Sequence, residues 1–344
     1  MKLIDLRSDT VTLQPAEMIE AMSKAKVGDD VYGEDPSINE LEALACKLTG
    51  KKASLFVLSG VMGNELALMS QTNQGDVVLL SEDAHIANHE SGAPAVLAKV
   101  NLKTINNPDH LIYPEDIRNK MTDSNDILQP KTSVLVVENA LSDGTIMPLE
   151  LMKANYAYAK ENELNVHLDG ARLFNAALSL KVEVKEICNY CDTVMFSLSK
   201  GLCAPVGSIL AGPSETIAKA RKFRKMIGGG IRQGGYLAQA GIYALQHQIC
   251  QLKEDNENAQ YLVNKLKNLP EMSCDPHKVQ INLIYFTINK ANFDHKKFVH
   301  YLKSNRIIIN PAEHDQYRFA THYLVTREDC DYIYQVVETY FKEN

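Results

Sequence analysis

Over its first two thirds the chain alternates short runs of apolar, β-branched residues with longer stretches whose apolar positions recur every three to four residues. Runs of the first kind suit strands buried on both faces, and stretches of the second kind suit amphipathic helices packed over them. The pattern predicts an α/β fold, a doubly wound and mainly parallel sheet covered by helices on both faces. Predicted strands are Ala53–Leu58, Asp76–Leu80, Ser133–Val137, Asn165–Leu168, Thr193–Phe196 and Val206–Ala211. Around Gln239 to Leu252 the period becomes helical, and after Pro270 the apolar run Ile281–Ile288 and the pattern to Asn344 suggest a smaller α+β unit. The expected division is a large domain with an N-terminal arm, residues 1–244, and a small C-terminal domain, residues 245–344. The polar stretch 101–131 is expected to hold only short elements.

Ligands of open α/β sheets bind beyond the carboxyl ends of the strands, so the residues just past each strand are more informative than the strand itself. Ser59-Gly60, Glu82-Asp83-Ala84-His85, Glu138-Asn139, Asp169-Gly170-Ala171-Arg172 and Ser197-Leu198-Ser199-Lys200 all occupy such positions. A lysine between Ser199 and Gly201 at a strand end is a surface charge in most proteins, but partial desolvation there would lower its pKa and free it to attack carbonyls. Asp169 ends another strand, and a buried carboxylate at that place could keep the pyridine nitrogen of pyridoxal phosphate protonated, the recurrent partner of a Schiff-base lysine. Its plainer reading is a helix N-cap. Ser59-Gly60-Val61-Met62-Gly63-Asn64 joins a strand to a helix, and its backbone amides could take a phosphate. It is neither a Walker loop nor a Rossmann fingerprint.

Composition narrows the partners. The 344 residues carry 36 basic and 43 acidic side chains, a net charge of −7, so there is no summed positive field to hold nucleic acid. With 45% hydrophobic and 23% charged residues the chain is expected to bury a full core. Seven cysteines, an odd number without a framework spacing, fit a reducing cytoplasm better than a secreted protein. The charged N-terminus holds no signal-like apolar stretch, and no run reaches the ~20 residues of a membrane span.

Three longer segments carry a resemblance: Asp5-Leu-Arg-Ser-Asp-Thr-Val-Thr12, Val27-Gly-Asp-Asp-Val-Tyr-Gly-Glu-Asp-Pro36 and Phe196-Ser-Leu-Ser-Lys-Gly-Leu-Cys-Ala-Pro-Val-Gly-Ser208. With these the chain resembles, over nearly its whole length, the low-specificity L-threonine aldolases. These are fold type I pyridoxal-phosphate enzymes grouped with the aromatic amino acid β-eliminating lyases. The resemblance implies that Lys200 bonds to the cofactor, Asp169 pairs with its ring nitrogen and His85 stacks on the ring. It implies phosphate contacts from the Gly60 and Val61 amides and from Arg232 of a neighbouring subunit, hence a homo-oligomer, a dimer or a dimer of dimers. Ser8, Arg172 and Arg318 would bind the carboxylate of an amino acid substrate, a role that suits the planar fork of arginine. The implied reaction is retro-aldol cleavage of L-threonine or L-allo-threonine to glycine and acetaldehyde.

The chain also departs from that family. Members commonly read Glu-Asn-Thr-His-Asn where this chain reads Glu138-Asn139-Ala140-Leu141-Ser142, so a histidine thought to approach the substrate hydroxyl is replaced by Leu141. An aromatic residue usual after His85 is absent, and His89 is a candidate substitute for the lost imidazole. Two alternatives therefore stay open beside threonine cleavage: β-elimination or cleavage of a bulkier substrate such as phenylserine, and a non-catalytic binding protein. His85-x-x-x-His89 lacks the internal glutamate of a zinc helix, so no metal is expected, and Cys188-x-x-Cys191 reads as two packed cysteines. The basic run Arg221–Lys225 reads as a solvated helix face leading to Arg232.

Overall fold

A computed structural model of the chain describes residues 2–123 and 125–343. Its strands begin with the short β1 (Ile4–Asp5), followed by β2 (Ala53–Val57), β3 (Val77–Ser81), β4 (Asn101–Ile105), β5 (Thr132–Glu138), β6 (Asn165–Gly170), β7 (Thr193–Ser197) and β8 (Ser208–Gly212). Strands β2 to β8 form one sheet in the order β2-β8-β7-β6-β5-β3-β4. All pairs from β7 across to β4 are parallel, while β8 runs antiparallel to both β7 and β2. The carboxyl ends of β2 to β7 therefore share one rim, and the amino end of β8 lies there too.

Alternate side chains of these strands enter different cores, as the two-residue period of a strand requires. On β5, Leu135 and Val137 join the main cluster with Leu168 and Phe196, whereas Val134 and Val136 pack with Val78, Leu80 and Leu68. Each predicted strand of the large sheet is present, with ends displaced by one or two residues. The seventh, β4, lies in the polar stretch: it is an edge strand on which only Ile105 is buried, so no apolar run marks it.

The C-terminal part adds β9 (Met272–Ser273), β10 (Leu283–Ile288), β11 (Ile307–Ile308) and β12 (Gln316–Ala320). β12, β10 and β9 form an antiparallel sheet beside the helices His295–Ser304 and Arg327–Glu343, around a separate core rich in aromatic rings, among them Phe286, Phe298, Phe319 and Tyr340. Ile4 and Leu6 belong to that core, and β1 pairs with β11, so the first residues are held by the C-terminal part rather than by the large sheet. The helix Gly235–Tyr243 runs through a π-helical turn, Ala244–Gln248, toward the helix Gln251–Leu266.

Arg224 corrects the reading of the basic run as a solvated face. It is buried and pairs with Asp30 at 2.5 Å and with the Phe56 carbonyl at 2.7 Å, while Arg221 bonds Glu42 at 2.5 Å. Cys188 and Cys191 are buried and unbridged, and Lys51 Nζ donates to the carbonyls of both. Among the described residues no helix is long and apolar enough to cross a membrane.

Candidate active site

Asp169 lies near the end of β6, in register with Glu138 on β5 and Met195 on β7, and is 3% exposed. Its Oδ2 accepts a hydrogen bond from Asn64 Nδ2 at 2.8 Å and its Oδ1 one from the Ala171 amide at 3.0 Å. Asn64, on the helix Gly60–Gln71, is oriented in turn by His167, whose Nε2 lies 3.0 Å from Asn64 Oδ1. Burial pushes the His167 imidazole down to about 4, so it is neutral at pH 7 and donates from one nitrogen only.

His85 opens the single helical turn His85–Asn88 after β3. Its amide donates to Glu138 Oε1 at 2.6 Å, and its Nδ1 lies 2.9 Å from Glu90 Oε1, a bond that raises the imidazole pKa. One donor atom each of His85, Glu90 and Asp169 lies within 4.8 Å of the others. The same oxygens accept hydrogens from Asn64 and His85, so the group forms a closed hydrogen-bonded set.

Lys200 lies beyond the end of β7, its carbonyl accepting from Thr12 Oγ1 at 2.9 Å. Burial, then the charge of Arg172, lowers its amine to about 8, against the pull of Asp9, Asp169 and Glu138. An amine that gives up its proton more readily than an ordinary lysine, close to a fixed carboxylate, is what a carbonyl-capturing lysine requires. Arg172 is not free: its Nε and Nη2 each donate to Asp9 at 2.8 Å, and Asn282 Nδ2 adds a third bond to that carboxylate at 3.1 Å. Burial alone would raise the Asp9 carboxyl, but Arg172 holds it well below the usual carboxylate range. Ser8 precedes Asp9 and caps the turn through Thr10 N at 3.2 Å. Arg318, on β12 opposite Tyr285, donates from Nη2 to the Arg7 carbonyl at 3.0 Å, while its buried Nε has no partner. The N-terminal segment thus joins Lys200, Arg172 and Arg318 into one neighbourhood.

At the start of the helix Gly60–Gln71, Ser59 Oγ accepts from Met62 N at 3.1 Å, and the Gly60 and Val61 amides head the first turn, where no intrahelical acceptor exists. Below them Ser208 Oγ is buried without a partner. A Cβ at Gly60 would come within 3.8 Å of that oxygen and 3.2 Å of Met195 Cε, so glycine keeps the cradle open. Two free amides at a helix N-terminus and an orphaned hydroxyl form a donor set for a phosphate. Arg232 stands apart: exposed on the loop after the helix Ser214–Met226, it pairs with Asp29 at 2.9 Å and with none of the other candidates.

A cleft of about 1040 Å³ runs from Glu138, Leu141 and Ser142 past His89 to Tyr285 and Thr287 of β10. Leu141 is 5% exposed and gives its edge an apolar side chain. His89 lies beside His85, ring centroids 5.5 Å apart. Tyr285 hydroxyl donates to the Ser142 carbonyl at 2.8 Å, tying the C-terminal sheet to this edge. Burial and neighbouring Asp169 push the Glu138 carboxyl up to about 8.

Asp9, Asn64, Glu90 and Asn282 join the site without having been expected there. Asp9 stands inside the first of the three long segments, next to Ser8. Asn64, five residues into the Ser59 segment, reaches Asp169 only through sheet order, and no local signal marks Glu90 or Asn282.

Known proteins are similar to this chain in sequence and in fold. Residues 5–289 match the beta-eliminating lyase family. The chain is 38% identical over 326 residues to the low specificity L-threonine aldolase of Escherichia coli (strain K12), covering 95% of this chain and 96% of that one. It is 43% identical over 258 residues to the probable low-specificity L-threonine aldolase of Schizosaccharomyces pombe, covering 74% and 68%. Among solved structures, the Leishmania major threonine aldolase superposes with a TM-score of 0.83 at 18% identity, covering 98% and 99% of the two chains.

Proposed function

Since the chain belongs to the beta-eliminating lyase family, we propose that it is a fold type I, pyridoxal-phosphate-dependent aldolase cleaving L-threonine or L-allo-threonine to glycine and acetaldehyde. The observation that carries this reading is the convergence, on one sheet rim, of a Lys200 amine with a lowered pKa, the fixed Asp169 carboxylate and His85. The cofactor fits these residues: Lys200 would hold its carbonyl carbon, Asp169 its ring nitrogen, and the Gly60 and Val61 amides with Ser208 Oγ its phosphate. When bound, pyridoxal phosphate supplies the electron sink that accepts the Cα–Cβ bonding pair.

The chain's own residues do the rest. Arg318, through its unpartnered Nε–H, binds the substrate carboxylate together with Ser8, and Arg172 contributes the guanidinium hydrogens not given to Asp9. Fixing the carboxylate at one end orients the Cα–Cβ bond, a gain of geometry rather than of new chemistry. With Leu141 apolar, His85 and its neighbour His89 are the imidazoles left to take the β-hydroxyl proton, directly or through water. The Lys200 amine, at about 8, is suited to carry protons at Cα.

A second reading is favoured by Leu141 and the 1040 Å³ cleft: a bulkier β-hydroxy amino acid such as phenylserine, or β-elimination from serine. Release of aldehyde from the four threonine stereoisomers, phenylserine and serine, with added cofactor, separates these readings. Aldehyde from none of the threonine isomers removes the threonine assignment. We place the protein in the cytoplasm as a homo-oligomer, a dimer or dimer of dimers, with the small domain 245–344, and the first residues packed on it, closing on the large domain over the substrate. Support for oligomerisation comes from Tyr32, Met226 and Tyr236, large side chains that are 73%, 66% and 48% exposed around the Arg232 loop. In such an assembly Arg232 serves the phosphate of the neighbouring subunit; light scattering that finds a monomer would end that part.

A further inference from the structure

Glu65 follows Asn64 on the helix Gly60–Gln71, is fully buried, and neither of its carboxyl oxygens meets a hydrogen-bond partner. Glu90, 3% exposed, has Oε2 in the same condition, while its Oε1 receives Asn64 Nδ2 at 2.8 Å and bonds His85 Nδ1 at 2.9 Å. The two carboxyl groups lie close together with no donor between them, and burial followed by the charge of Glu90 pushes Glu65 up to about 8. Three orphaned acceptors in one dry place are costly, and two adjacent anions there would add repulsion. A single proton between them cures both faults, since a Glu65 hydroxyl can donate to Glu90 Oε2 and leave only one oxygen without a partner.

We propose that Glu65 is a positioning residue whose protonated carboxyl donates to Glu90 Oε2, fixing Glu90 as the single anion that holds His85 Nδ1–H and leaves Nε2 free to accept a proton in the site. The inference rests on the assignment of His85 to the active site. The charged and titratable groups facing this set are Asp169 and His167 of β6, Glu138 of β5, Lys200 beyond β7 and His89, whose ring lies beside that of His85. His167 is neutral, and the Asn64 amide bridges Glu90 to Asp169. Glu65 thus acts through Glu90 on the imidazole and touches no reacting atom.

The sign of the effect depends on which form Glu65 takes. If it is the neutral donor, Glu65→Leu deprives Glu90 of a hydrogen bond, the carboxylate draws harder on Nδ1–H, and His85 titrates at higher pH. Glu65→Gln keeps an N–H donor and restores the value. If Glu65 is an anion, both variants remove negative charge and His85 titrates at lower pH. The experiment is nitrogen-15 NMR of histidine-labelled holoenzyme across pH, with infrared difference spectra of wild type against Glu65→Gln at pH 7. Expected are a carboxylic-acid C=O band lost in Glu65→Gln and a His85 titration raised by about one unit in Glu65→Leu, a tenfold change in proton affinity. Glu65→Gln should stay close to wild type with His85 protonated on Nδ1. Absence of the band, downward shifts in both variants, or titrations that coincide in all three proteins would each overturn the proposal. Neither readout needs turnover, so failure here is distinguishable from failure of the aldolase assignment, which the aldehyde assay reads.

Discussion

Replacing Asp9 by asparagine should destabilise the protein by about 3–5 kcal/mol, the cost of leaving one member of a buried ion pair without the other. The upper range applies because the pair is closed on both sides: Asp9 is fully buried, the Arg172 side chain is 13% exposed, and two bonds of 2.8 Å join them in a bidentate fork. Asparagine keeps the shape and an acceptor for one donor, but it turns an N–H toward a guanidinium that has nothing to accept with. In urea at pH 7 the midpoint should fall by roughly 1 M or more. The pH dependence has a definite sign. Arg172 depresses the folded pKa of Asp9, so its stabilisation is present above the unfolded value, ~3.9, and is lost as pH falls toward the folded one. The gap between wild type and Asp9→Asn should therefore be constant from about pH 5 to 8 and narrow below about 4. Arg172→Met alone should be comparably harmful, whereas Asp9→Leu with Arg172→Met should recover much of the loss, because a buried pair exchanged for apolar groups is often neutral. A gap below about 1 kcal/mol, or one that ignores acid, would refute the claim that this pair is a dry contact on which the fold depends.

Four further outcomes are expected. Lys200→Ala should lose the covalent cofactor absorbance and aldehyde release; in wild type stripped of cofactor, the rate of recapture should rise through about pH 8 and then level, where an ordinary lysine would keep gaining toward 10.5. Glu138 has a folded pKa raised to about 8, so its contribution is full below its unfolded value and vanishes as pH rises through 8. Glu138→Gln should accordingly gain on wild type in denaturation midpoint between about pH 5 and 8, and parallel curves would contradict the raised value. Lys200→Ala and Arg232→Ala, each weak alone, should on mixing and reassembly regain up to about a quarter of wild-type activity if Arg232 acts across subunits, since half of random dimers carry one intact site. No regain would place Arg232 outside the partner's site. Leu141→His should raise kcat/KM for threonine relative to phenylserine; an unchanged ratio would show that the apolar edge does not set the substrate.

What was legible in the sequence divides along a physical line. Strands β3, β5 and β7 are buried on both faces, so a parallel sheet leaves an apolar run that no loop imitates, and residues at its carboxyl rim can be named before any coordinate is known. Lys200, Asp169 and His85 are named as candidates in that way. β4 escaped because an edge strand facing water has no such run. Partnership between charges is a different quantity, since it depends on which strands are neighbours. Arg172 read as a free fork because nothing in Asp169-Gly-Ala-Arg172 announces that the arm carrying Asp9 will be pinned by β1 to β11 and delivered against it. The same pinning puts the Arg7 carbonyl on Arg318. Both arginines assigned to a substrate carboxylate are therefore already partly spent on the N-terminal arm, and Asn282, at the entrance to β10, joins the Asp9 contact. Displacement of the arm would loosen both arginines together with the Thr12 contact to Lys200, so on the proposed assignment of these arginines the arm has to be in place before a substrate carboxylate can be held.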